Sequence, residues 1–268
     1  MRHLPKKRFG QNFLHDAGVL QQIIEAIAPA PEDRMIEIGP GKGAMTARLL
    51  AHLNELHVVE LDRDLVTLLQ KAFANRGLII HSADALQFQF DQLRTDERKL
   101  RIVGNLPYNI STPLLFHLAQ YAPMVKDQHF MLQKEVVERI VAPPGGRDYG
   151  RLSVMLQWRY QMSQLFVVPP QAFDPPPKVE SAIVRMIPIA QPLACEQHFL
   201  EQVVTTAFSQ RRKVIRNSLG GLFTESQLIE AGINPQARPE TIGLEAYVSL
   251  AQRLAALGIG NSGCIPAS

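Results

Sequence analysis

Asn105-Leu106-Pro107-Tyr108 is the stretch of this chain whose residue types and spacing could do chemistry. It follows directly on a short apolar run, LRIVGN (100–105), that reads as a strand. The Asn105 side-chain carbonyl and a backbone carbonyl next to Pro107 can each accept one hydrogen of an exocyclic amine. Such an amine is a poor nucleophile, because its lone pair is delocalised into the ring. Two fixed acceptors hold its nitrogen tetrahedral-like and aim the lone pair at an electrophile. Pro107 donates no N–H and stiffens the turn that also carries Leu106, while Tyr108 offers a ring face for stacking. A base must leave its stack to enter such a pocket, so a second aromatic wall is expected. Phe173, held extended by the prolines of FDPPPKVES (173–181), is the candidate. The chemistry needs no strong general base, and none is evident.

The electrophile calls for a cofactor site, and EIGPGKGAMT carries glycines 39, 41 and 43 between a strand and a helix. Glycine there lets the backbone turn sharply and a ligand approach closely. The ligand would face the carboxyl ends of parallel strands, the usual crevice of such sheets. Glu60, ending the second strand, can accept both hydroxyls of a ribose. Asp84, ending the third, can read the amine of an adenine ring. Singly, each is better read as a turn glycine or a surface acid; in this order they describe a sheet that recognises adenosine. Gly39-x-Gly41-x-x-Ala44 also satisfies the dinucleotide fingerprint, so this turn alone does not separate NAD from S-adenosylmethionine. The fourth strand decides. Nothing near it resembles a proton donor for hydride transfer, and Asn-x-Pro-aromatic matches enzymes that methylate the amine of adenine or cytosine. S-adenosylmethionine is the expected cofactor.

These residues need a scaffold. Residues 17–28 place Val19, Leu20, Ile23, Ile24 and Ile27 at helical spacing behind Asp16, a fair N-cap. Strands follow at 35–39, 56–61, 78–81, 100–105 and 129–133, with helices over 43–53 and 64–75. That alternation predicts an α/β fold, Rossmann-like, with a mostly parallel sheet. SAIVRMIPI (181–189) is the last strand, and from about 196 the pattern is helical: 197–208, 211–222, 225–231 and 243–257. The expected organisation is an α/β domain over 1–190, a small all-helical domain over 191–258 and a loose tail over 259–268.

Composition narrows the class. The chain has 268 residues, 46% hydrophobic and 20% charged, which is ordinary for a soluble globular protein. No run approaches the ~18 apolar residues of a membrane span. The N-terminal charges have no apolar stretch behind them, so a secretory leader is not expected and a cytoplasmic location is. Cys195 and Cys264 are too far apart in sequence for a CxxC pair, and the eight histidines show no metal-ligand spacing. No metal site is assigned. The net charge of +3 is unevenly spread. Arg2, Lys6, Lys7 and Arg8 form one acid-free cluster; Arg211, Arg212, Lys213 and Arg216 form another. One such cluster is usually a solvated face, whereas two on a balanced chain point to a polyanion. If 211–222 is one helix, Arg212 and Arg216 share a face.

With these motifs assembled, the chain resembles the ribosomal RNA adenine dimethyltransferases, and within them the bacterial enzymes of the small subunit. KKRFGQNFL, EIGPGKG, VVELD, NLPYNIST, LQKEVVERI, FDPPPKVES and SQRRKVIRNSL carry the resemblance over essentially the whole length. It implies a class I methyltransferase fold that holds S-adenosylmethionine among Asn12, Leu14, Gly39, Gly41, Glu60, Asp84 and Asn105. It implies transfer of two methyl groups to each of two adjacent adenines, in a hairpin near the 3′ end of 16S RNA. Gln11-Asn12-Phe13-Leu14 would fold over the cofactor, and Arg147 and Arg151 would lie near RNA. Lys42 stands where the family often has a hydrophobic residue, and is expected on the surface. The implied partner is the small ribosomal subunit, in its biogenesis, with the protein a monomer and no membrane or metal involved. The alternatives are a large-subunit (23S) adenine methylase that confers antibiotic resistance, a nicotinamide oxidoreductase, and an assembly factor without turnover.

Overall fold

A computed structural model of the chain describes residues 11–258. The basic residues Lys6, Lys7 and Arg8 and the tail 259–268 lie outside the described residues. In chain order the elements begin with β1 (Phe13–Leu14), α1 (Ala17–Ile27), β2 (Arg34–Ile38), α2 (Ala44–Leu49) and β3 (Leu56–Glu60). Next come α3 (Arg63–Ala72), β4 (Leu78–Ser82), β5 (Leu100–Asn105), α4 (Ser111–Ala119) and β6 (Val125–Gln133). The chain continues through α5 (Lys134–Val141), α6 (Arg151–Gln157), β7 (Tyr160–Val168), β8 (Phe173–Asp174) and β9 (Ser181–Pro188). It closes with α7 (Gln197–Ser209), α8 (Ile215–Ser218), α9 (Glu225–Glu230) and α10 (Leu244–Ala256).

Two compact units result. The first holds described residues 11–138 and 160–188, the second 139–159 and 189–258. In the first, seven strands run in the order β4-β3-β2-β5-β6-β9-β7. β4, β3, β2, β5 and β6 are mutually parallel; at one edge β9 pairs antiparallel with β6, and β7 pairs antiparallel with β9. Asp16 caps α1 by accepting from the Val19 N–H at 2.8 Å, and the helix buries Leu20, Ile23, Ile24 and Ile27 against the sheet core. Each such side chain contributes about 1.5–3 kcal/mol on burial, which outweighs the marginal stability of an isolated eleven-residue helix. Arg101 closes the other end of α1. Its guanidinium, 5% exposed, donates to the carbonyls of Ile27 and Ala28 and is flanked by Asp33 at 2.5 Å and Asp127 at 3.0 Å.

The second unit is helical. α7 buries Phe199, Leu200, Val203, Val204 and Ala207; α10 buries Tyr247, Val248, Leu250, Ala251 and Leu254. Residues 139–159, which the sequence pattern leaves in the α/β domain, belong here by packing. Ser153 and Gln157 donate to the carbonyls of Arg139, Ile140 and Ala142, and the Gly145 N–H donates to Glu240 O.

Several elements depart from the sequence reading. β7 was not expected, because in a half-exposed edge strand such as YQMSQLFVV the apolar run is short, LFVV, and two prolines follow it. β6 starts at Val125, four residues before the expected 129. The helix expected over 211–222 shrinks to α8, four residues long. Val214 is extended, with ψ 154°, and the N–H groups of Ile215 and Arg216 donate to Ala237 O and Pro235 O. Those bonds replace a preceding helical turn, so Arg212 and Arg216 do not share a helix face.

Candidate active site

Sheet register gathers the site. Glu37 of β2 aligns with Val58 of β3 and Val103 of β5, and Val103 with His129 of β6. Residues two further along each strand share that face: Glu60, Gly39, Asn105 and Met131. Two rows thus stand one above the other at the carboxyl end of the sheet. All these residues except Val58 and Val103 line one cavity of about 360 Å³. That volume lies within the ~300–1,000 Å³ of small-molecule sites.

The glycine turn forms one wall. Gly41 has φ +58°, and a Cβ there would stand 3.0 Å from the Phe13 ring. Gly43 has φ +84°, and its Cβ would strike the Phe73 ring at 2.6 Å. No other residue type fits these positions without displacing a neighbour. Glu60 accepts from the Asp62 N–H at 2.8 Å and from the Gly41 N–H at 3.4 Å. Burial pushes its carboxyl above the usual range, and these N–H donors partly offset that. Asp84 also lines the cavity and fixes its own turn by accepting from the Leu86 N–H at 2.9 Å. Gln11, Asn12, Phe13 and Leu14 complete the lining, so Gly39, Gly41, Glu60, Asp84 and the 11–14 segment are brought together.

Asn105, Leu106, Pro107 and Tyr108 line the same cavity. Asn105 Nδ2 donates to the main-chain oxygen of Asn12 at 3.0 Å, which leaves Oδ1 as the acceptor. The Tyr108 hydroxyl is 2.7 Å from Ser181 Oγ, a fully buried group of β9. Burial raises the Tyr108 phenol above its usual value, with the Ser181 bond acting the other way. This phenol stays protonated and its ring is tethered at the tip.

Phe173, expected as the second wall, does not line the cavity. It is 2% exposed, pairs with Leu14 through β8 and β1, and packs with Leu20, Ile23 and Ile183 in the core. A ring between prolines reads as presented, but the β1–β8 pairing turns it inward. Lys42 also departs from expectation: it lines the cavity, its Nζ 4.4 Å from the centroid of the Phe13 ring. The side chain is half-buried, and its ammonium gains a cation–π contact.

Two groups in the lower row escaped sequence reasoning. Glu37 is 1% exposed, accepts from Thr46 Oγ1 at 2.7 Å, and is pushed up to about 8, chiefly by burial. His129 is 4% exposed with neither ring nitrogen hydrogen-bonded, and burial lowers it to about 4. Asp127 Oδ1, 3.7 Å from its Nδ1, is too distant for a hydrogen bond. Glu37 looked like an inward strand residue; only its place beneath Gly39 marks it.

In the second unit the structure joins two basic segments that are far apart in sequence. The Arg211 guanidinium donates to the carbonyls of Arg147 and, at 3.0 Å, Tyr149. Arg147 is almost fully exposed, with Asp148 at 3.7 Å. Arg151 pairs with Glu201 at 2.5 Å and Arg216 with Glu225 at 3.0 Å. Arg212 and Lys213 are exposed beside them.

Among the described residues no cluster of His, Cys, Asp and Glu could hold a metal, and no helix is long and apolar enough to cross a membrane.

Comparison with known proteins gives consistent results. The family model described as ribosomal RNA adenine dimethylase matches residues 2–256. The chain is 69% identical to the ribosomal RNA small subunit methyltransferase A of Herminiimonas arsenicoxydans, over 95% of this chain and all of the relative. It is 55% identical to the protein of that name from Laribacter hongkongensis, over 94% and 97% of the two chains. A dimethyladenosine transferase from Plasmodium falciparum shares the fold, with a TM-score of 0.77 over 92% of this chain and 98% of that one, at 24% identity. The 23S rRNA methyltransferase ErmE gives 0.70 over 91% and 100%, at 25% identity.

Proposed function

Since the chain belongs to the ribosomal RNA adenine dimethylase family and is a ribosomal RNA methyltransferase, we propose that it dimethylates two adjacent adenines of small-subunit RNA, using S-adenosylmethionine. The observation that supports the chemistry is the bond from Asn105 Nδ2 to Asn12 O, which leaves Oδ1 of this cavity-lining residue as an acceptor. S-adenosylmethionine supplies a methyl group on a sulfonium, electrophilic enough to react with a weak nitrogen nucleophile. The cavity fits that group: a glycine turn no side chain could share, a buried carboxylate for ribose hydroxyls, and an acid on the next strand for an adenine ring.

In this reading Glu60 and Asp84 hold the adenosine, while Asn12, Leu14, Gly39 and Gly41 enclose the rest of the cofactor. Asn105 Oδ1 and the carbonyl beside Pro107 accept the two hydrogens of the target amine and localise its lone pair. Tyr108 supplies the stacking face, held by Ser181. Leu106, 1% exposed, packs the turn from below. The amine sheds its proton to water after each transfer, so no side chain needs to act as a base.

Relatives up to 69% identical are named for the small subunit, against 25% for a large-subunit enzyme, which favours the small subunit as partner. Arg147, Arg151, Arg211, Arg212, Lys213 and Arg216 then face RNA from the second unit, in the cytoplasm where ribosomes are assembled. Labelled methyl transfer to immature small subunits, large subunits and bare DNA, followed by nucleoside analysis, tests all of this. Dimethyladenosine in small subunits alone is the expected result; label confined to large subunits or DNA would overturn it.

A further inference from the structure

Glu37 and Glu60 stand on one face of adjacent strands, in successive rows beneath and beside the glycine turn. Both are buried, at 1% and 7% exposure, and both line the cavity. The Glu60 carboxylate adds to the cost of ionising Glu37, after burial itself. Two buried carboxyls so placed normally share a cation, because an isolated buried charge is costly. Among the described residues no basic side chain serves them. Lys42 is over the Phe13 ring, Arg48 of α2 is 3.4 Å from Gln21 Oε1, and Arg101 of β5 is bound to Asp33 and Asp127. His129 of β6, across Val103, is neutral. The hydroxyl of Thr46 is the donor that Glu37 has.

The proposed cofactor brings a positive charge to this place. Its sulfur joins the ribose to the reacting methyl, so a ribose on Glu60 and an amine on Asn105 leave the sulfonium between them. Gly39 lies between those residues in the upper row, and Glu37 is directly below Gly39 on β2.

We propose that Glu37 is the counter-charge of the cofactor's sulfonium and that it releases a proton when the cofactor binds. Before binding, burial keeps the carboxyl protonated at neutral pH, since its value stands at about 8. An adjacent cation favours the ionised form and returns it toward the ordinary carboxylate range. The product, S-adenosylhomocysteine, has a neutral thioether and leaves Glu37 protonated. Glu37 is thereby a specificity residue: it favours the charged methyl donor over the spent product.

This inference rests on the cofactor assignment above, and the experiment separates the two. Calorimetric titrations of the whole protein near pH 7, in two buffers of different ionisation enthalpy, count protons released by each ligand. S-adenosylmethionine should release most of one proton and S-adenosylhomocysteine at most about a third as much. Near pH 7 the α-amino group of each ligand is already mostly protonated, so it adds little to the difference, and Glu37→Gln controls for the remainder. Correspondingly, the Kd for S-adenosylmethionine should fall several-fold per unit between about pH 6 and 8 and level off above, with a flatter profile for the product. Glu37→Gln should abolish the extra proton and reduce the preference for S-adenosylmethionine by about tenfold. Equal release by the two ligands, or an extra proton that survives in Glu37→Gln, would overturn the proposal. The wild-type comparison decides even if the variant does not fold. Failure of S-adenosylmethionine to bind at all would instead bring down the cofactor assignment, and this inference with it.

Discussion

Asn105 and Asn12 lie 93 positions apart, yet one hydrogen bond, Nδ2 to main-chain oxygen at 3.0 Å, ties the Asn-Leu-Pro-Tyr turn to the 11–14 segment, and both line one cavity. The bond uses one of the amide's two N–H donors and leaves Oδ1 as its acceptor. In the proposed mechanism this one contact links binding of the cofactor to presentation of Oδ1.

Asn105→Ala removes both halves of that arrangement. Turnover at saturating substrate should fall roughly a hundredfold or more, the scale of one lost transition-state hydrogen bond. The cofactor Kd should rise by less than tenfold, because the 11–14 segment loses one anchor. Near-normal kcat would mean that the turn does not orient the amine.

Glu60→Ala acts on the cofactor itself. Loss of hydrogen bonds to a charged group costs roughly 1.5–3 kcal/mol of binding, and the turn loses the acceptor of the Gly41 and Asp62 N–H groups as well. Calorimetry should show weakened S-adenosylmethionine binding and no NAD binding to the parent protein. NAD binding in its place would reverse the cofactor assignment.

Tyr108→Phe keeps the ring and removes its tether to Ser181. The buried Ser181 hydroxyl is left without that partner, so thermal unfolding should report a loss of about 0.5–1.5 kcal/mol. KM for the RNA substrate should rise several-fold while cofactor affinity stays unchanged. A variant with wild-type KM would show that the ring needs no anchor.

The basic residues of the second unit divide into two kinds. Arg212→Ala with Lys213→Ala should weaken subunit binding and flatten its salt dependence by roughly one unit of slope per lost phosphate contact. Arg211→Ala should act differently, because its guanidinium braces the carbonyls of Arg147 and Tyr149. Proteolysis or hydrogen exchange around 147–149 should increase in that variant, with cofactor affinity untouched in both. Subunit binding unaffected by the double variant at two salt concentrations would make this stretch a solvated loop.

Much of this protein was determined by local pattern. Alternating apolar strands and amphipathic helices specify the parallel sheet, and residues at the ends of its strands must meet at one edge, whatever the side-chain details. That is why Gly39, Glu60, Asp84 and Asn105 could be read as one site from their order alone. Local pattern failed where long-range pairing decides. The 211–222 stretch has helical spacing, but Ala237 and Pro235 take its N–H groups, and α8 is short. Phe173 has the composition of a presented ring, but pairing with Leu14 buries it. Glu37 looks like any inward strand residue until register sets it beneath Gly39, without a cation, beside a second carboxyl. Spacing fixes which face a residue occupies; only tertiary packing decides what that face meets.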